Sequence, residues 1–68
     1  MDISIINSND VKGLDKYIGD NILIIDIKYK ENLHLIQMSS ETECFRGISS
    51  SRKGAIANTL KAIKKVYS

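Results

Sequence analysis

No acidic residue follows Glu43, so the final stretch Arg46 to Ser68 carries Arg46, Arg52, Lys53, Lys61, Lys64 and Lys65 with no carboxylate to offset them. The lone cysteine, Cys44, excludes an internal disulfide, and with no signal-peptide pattern at the N-terminus it predicts a reducing cytoplasm. The longest apolar run, Ile22 to Ile25, is far short of the roughly 20 residues a membrane-spanning helix needs, which excludes an integral helical membrane protein. The single histidine, His34, has no Cys or His beside it at metal-ligand spacing. Asp15, Asp20 and Asp26 do not have the spacing of a calcium loop. A catalytic thiol at Cys44 would need a base, which only a coincidence of fold could supply from His34, so a small buried thiol is the expectation there. No catalytic pair, metal set or cofactor site is assigned, and the chain reads as non-enzymatic. Proline and tryptophan are absent while isoleucine, lysine and asparagine abound, a composition that suggests an AT-rich genome such as that of a low-GC bacterium or one of its phages.

What is present begins with the charge split. The first 45 residues set eight acids against four lysines, and the tail adds six cations, so a net charge of +2 hides a strongly basic C-terminal segment. Such a segment suits phosphate or an acidic partner. At 68 residues the chain makes one domain, 1–68, of a size where one core leaves little net stability, and a homodimer is expected. Its twelve isoleucines favour a β-rich core, because branched side chains suit a pleated, half-buried surface.

Ile3, Ile5 and Ile6 predict an opening strand, followed by Asn7-Ser8-Asn9-Asp10, whose side chains cap or turn the backbone. Val11, Leu14 and Ile18 fall at helical spacing, so Asp10 to Tyr17 reads as a short helix or bridge that Gly13 weakens. Gly19-Asp20-Asn21 is a turn. Ile22 to Tyr29 is the clearest strand, with Leu23, Ile25, Ile27 and Tyr29 on one face and Asp26 and Lys28 on the other beside Ile22 and Ile24. Lys30-Glu31-Asn32 predicts a hairpin loop and Leu33 to Met38 the antiparallel return. Glu43 to Arg46 reads as a fourth strand, with a helical turn as the alternative.

Ser49-Ser50-Ser51 offers N-caps for a final helix in which Ile56, Leu60, Ile63 and Tyr67 recur on one stripe, widened by Ala55, Ala62 and Val66. Lys53, Lys61, Lys64 and Lys65 fall on the opposite arc. The predicted fold is therefore α+β, a small antiparallel sheet of three to four strands packed against a C-terminal amphipathic helix. The expected binding residues are Arg52, Lys53, Lys61, Lys64 and Lys65, contacting the phosphates of RNA or single-stranded DNA. Ordinary solvation and complementing of the helix dipole compete with that role. Ser49 to Gly54 places hydroxyls and two cations at a helix N-terminus, where capping and anion contact would use the same groups; it lacks P-loop spacing. Tyr17, Tyr29, Phe45 and Tyr67 are candidates for base stacking, with Tyr67 expected in the core and Tyr29 exposed. The alternative function is a small regulatory or phage-type module that docks on a cellular protein.

Several motifs resemble the KTSC domain, a small module found alone in bacterial and phage proteins and fused to some lysyl-tRNA synthetases. They are Ile6, Ser8, Asn9 and Val11, then Leu14, the alternating Leu23, Ile25 and Ile27, then Lys53-Gly54, Asn58 and Ile63-Lys64-Lys65-Val66-Tyr67. The family's central Tyr-x-Tyr is Leu33-His34-Leu35 here, and its Tyr-Asp and Val-Pro pairs are missing. The resemblance implies RNA binding, by analogy with the synthetase context. Gly19 to Lys28, followed by Arg46-Gly47-Ile48-Ser49 and the helix, is also similar to the core of transcriptional-coactivator single-strand-binding proteins, which implies four strands and a helix.

Overall fold

The structure, a computed structural model, describes residues 1–11 and 22–67. Four antiparallel strands, β1 (Asp2–Ile6), β2 (Leu23–Lys30), β3 (Leu33–Ser39) and β4 (Cys44–Ser49), form one sheet in the order β1-β2-β3-β4, and helix α1 (Arg52–Tyr67) follows. This is the expected α+β architecture. Glu43 to Arg46 resolves as strand from Cys44 onward, and β4 continues to Ser49. The β2–β3 turn is tighter than expected, with Glu31 and Asn32 between the strands and a register shift between Lys28 and Lys30. A 3-10 turn at Ser8–Asp10 follows β1, with the Asn7 side chain accepting from the Asn9 amide. The predicted bridge beyond Val11 and the Gly19-Asp20-Asn21 turn lie outside the described residues.

Side chains alternate across a pleated sheet, and the register fixes which share a face. Ile6, Ile24, Met38 and Phe45 form one row; Ser4, Asp26, Ile36 and Gly47 form the next. This is the face α1 covers, lying over β3 and β4. Ile24, Ile36, Met38, Ala55 and Ile63 are fully buried there, with Val11 closing one side. Each fully buried isoleucine contributes roughly 1.5–3 kcal/mol relative to exposure, so this small cluster carries the fold.

Of the expected stripe on the helix, Ile63 and Ala55 are buried and Ile56 and Leu60 pack against the core, while Tyr67 and Val66 are exposed. The helix meets the sheet most closely along Ala55, Thr59 and Ile63. Gly47 is the cause. A Cβ there would stand 2.5 Å from the backbone nitrogen and hydroxyl of Thr59 and 2.7 Å from the carbonyl oxygen of Ala55, so only glycine admits so close an approach. Thr59 is buried at this contact and its hydroxyl donates to the Ala55 carbonyl at 2.7 Å, a bond made within its own helix. Ile56 and Leu60 are left half-buried on the flank. Tyr67 is at the surface, its hydroxyl donating to the Glu43 carboxylate and its ring tilted against Phe45 at 6.3 Å. Cys44 is exposed, contrary to the expected buried thiol, because it stands at the start of an edge strand on the face α1 does not cover.

Candidate functional site

Ser51 is the N-cap of α1: its hydroxyl accepts from the Gly54 amide at 3.1 Å, and its carbonyl accepts from the Ala55 amide at 3.0 Å. With Ala55, Thr59 and Ile63 against the sheet, Lys53, Lys64, Lys61 and Lys65 at about 100° per residue occupy an arc of roughly 120° facing away from it. All four are exposed, and among the described residues none forms a salt bridge. No acid lies anywhere on the helix. Lys61 and Lys65 are four residues apart and Lys61 and Lys64 three, so they are surface neighbours whose mutual repulsion costs a few tenths of a kcal/mol per pair. Lys64 and Lys65, in the last turn, recover part of that from the helix dipole. Lys53 is placed differently: it lines a groove of about 490 Å³ with Asp10, Val11, Arg52, Ile56 and Leu60.

Arg52, expected to act with these lysines, points elsewhere. Its Nε donates to the Asp26 carboxylate at 2.7 Å. At the first helical position its direction is toward the sheet, about 100° from Lys53. Asp26 is 1% exposed in the middle of β2, and a carboxylate so buried needs compensation. His34, diagonal to it on β3, supplies the second partner, with Nδ1 3.1 Å from Oδ1 and 3.4 Å from Oδ2. Burial pushes the Asp26 carboxyl up, but the hydrogen bonds from His34 and Arg52 and the arginine charge outweigh it and hold it below the ordinary carboxylate range. No buried side-chain polar atom among the described residues lacks a partner. Sequence reasoning missed this cluster, although its signal was present: Asp26 is the one acid inside the best strand, on the same face as Ile22 and Ile24.

Arg46 is separated from both groups. It lies on the uncovered sheet face, with Nε donating to Gln37 Oε1 at 2.9 Å. The six tail cations thus divide into four lysines on the outer arc of α1, one arginine tied to a buried carboxylate, and one arginine across the sheet. Among the described residues, no group of three or more His, Cys, Asp or Glu side chains is arranged to hold a metal, and no helix is long and apolar enough to cross a membrane. Comparison with protein-family models, with curated proteins and with solved structures found no match.

Proposed function

We propose that the chain is a non-enzymatic nucleic-acid-binding module that holds RNA or single-stranded DNA through phosphate contacts from Lys61, Lys64 and Lys65, with Lys53 at the arc's N-terminal end. The observation that carries this reading is the arc itself: exposed lysines on a helix without a single acid, unpaired among the described residues. Arg52 takes part only through donors left over from Asp26, since a guanidinium has five and Nε is committed. Binding of this kind is largely independent of sequence, because phosphates carry none. The lone thiol, exposed at Cys44, fits a reducing compartment such as a cytoplasm.

Affinity should follow counterion release. Four phosphate contacts on a single strand give a slope of log K against log salt of about −2.8, and hence about 50-fold weaker binding at 200 mM than at 50 mM salt. Fluorescence anisotropy with short labelled RNA and DNA over that range tests this. A slope near zero would remove the phosphate reading. The second reading, docking of the same basic arc on an acidic protein surface, is supported by the same lysines; a protein partner retained in a pull-down after nuclease treatment would favour it.

A further inference from the structure

Among the described residues, nothing covers the second face of the sheet. We propose that this face is the interface of a homodimer in which two copies stack sheet against sheet, with both helices outward.

The register shows why this face is unusual. One row runs Ile3, Ile27, Leu35, Ile48, directly paired across all four strands and apolar from edge to edge. The next row begins with Ile5 and Ile25 and ends with Gln37 and Arg46, which are hydrogen-bonded to each other at one corner. Ile3, Ile5, Leu23 and Ile48 are 61%, 75%, 51% and 60% exposed. Large contiguous apolar patches are rare on soluble monomers and mark contact surfaces. The charged strand residues on this face are Arg46, tied to Gln37, and Lys30 at the end of β2 opposite Leu33, so the apolar centre of the face offers no charge to nucleic acid or to an acidic protein. A second copy does find a match, since an isologous interface sets the same patch against itself and this one carries almost no charge to repel. The lysines of α1 lie on the opposite side of each sheet and would not oppose the contact.

Area agrees. Four strands about 4.8 Å apart, each with about six residues at 3.3 Å, make a face of roughly 19 by 20 Å. Its contoured accessible surface is on the order of 600–700 Å² per copy, so a pair would remove on the order of 1,300 Å², inside the range of stable specific interfaces. The sequence of β2 points the same way. Ile24 on one face and Leu23, Ile25 and Ile27 on the other place apolar side chains on both of its faces, as strands covered on both sides do. Stacking would set the two lysine arcs on opposite outer surfaces, roughly 30 Å or more apart given sheet and helix packing distances near 10 Å. Each dimer would then engage two separate strands.

Sedimentation equilibrium of the full chain tests this. At about 50 µM, above the dissociation constants usual for interfaces of this size, the expected mass is about 15 kDa, twice the 7.6 kDa chain. The Ile5→Glu/Ile48→Glu variant should weaken association at least ~100-fold through buried like charge, and a Lys61→Glu/Lys64→Glu variant should leave it unchanged. If the glutamate pair fails to fold by circular dichroism, Ile5→Thr/Ile48→Thr keeps strand propensity and carries the test, with an expected loss of at least ~10-fold. A native monomer at that concentration, or a dimer indifferent to the face variants, would overturn the proposal.

Discussion

Gly47→Ala isolates the contact on which the position of the helix depends. The added methyl would meet the Thr59 nitrogen and hydroxyl at 2.5 Å and the Ala55 carbonyl oxygen at 2.7 Å. Two of these are helix backbone and the third belongs to a buried, hydrogen-bonded side chain, so no flexible group can swing aside. The helix must lift from β4 instead, which also loosens Ile63 and Ala55 against Ile36 and Met38. Overpacking costs of this kind run about 1–3 kcal/mol, and an obstruction made of backbone puts this site near about 3 kcal/mol. A domain of this length holds only about 3–10 kcal/mol in total, and each kcal/mol lowers Tm by roughly 4–8 °C, so a fall of about 12–24 °C or outright unfolding is expected. Thermal and urea unfolding followed by circular dichroism measure it. Gly54→Ala is the matched control. Its methyl would clash chiefly with the Ser49 hydroxyl, which can rotate, and would press more lightly on Ser49 Cβ and the capping Ser51 hydroxyl, each at 3.1 Å, while alanine gains about 1 kcal/mol of helix propensity over glycine. That variant should stay within about 1 kcal/mol of native. Equal stability of Gly47→Ala and the native chain would refute the close helix–sheet approach and with it the assigned orientation of the lysines.

Arg52→Ala should destabilise by about 1–2 kcal/mol in urea unfolding, less than the full cost of breaking a buried pair, because the arginine is half exposed and His34 still serves Asp26. Asp26 has a folded pKa below its ordinary value, so its contribution is present above the unfolded carboxylate pKa near about 4 and is lost as pH falls through the lower folded pKa. Urea midpoints between neutral and acid pH should therefore drop steeply in that window, and the drop should shrink in Asp26→Asn. Tyr67→Phe should change stability by less than about 0.5 kcal/mol, since its bond to Glu43 is exposed.

The elements were legible in the sequence for a simple reason: isoleucine-rich segments of period two and a lysine-rich segment of helical period leave few alternatives. The helix phase was legible only in part, since Ala55, Ile56, Leu60 and Ile63 do face the core but the line of closest approach was not foreseen. Ile56, Leu60, Ile63 and Tyr67 are the largest apolar residues on α1 and define the stripe by hydrophobicity, yet the buried line is Ala55, Thr59 and Ile63, because a glycine on another element permits close approach only by small side chains. The lysine arc survived that rotation, being broad and diametrically placed. Arg52 did not stay with it. Its pairing with Asp26 depends on which face of β2 the helix covers, and β2 is apolar on both faces, so periodicity alone could not choose between them. The exposure of Cys44 and Tyr67 follows from the same long-range choices.

The central claim concerns the arc formed by Lys61, Lys64 and Lys65, and one comparison addresses it directly. Native protein and a Lys61→Glu/Lys64→Glu/Lys65→Glu variant, both shown to be folded, would be titrated into fluorescent single-stranded RNA, single-stranded DNA and duplex DNA at several salt concentrations. Micromolar binding at low salt is expected for the native chain, weakening with a slope of about −3 and lost in the variant. Native protein that fails to bind any of the three at low salt, or a variant that binds as well as native, would contradict it.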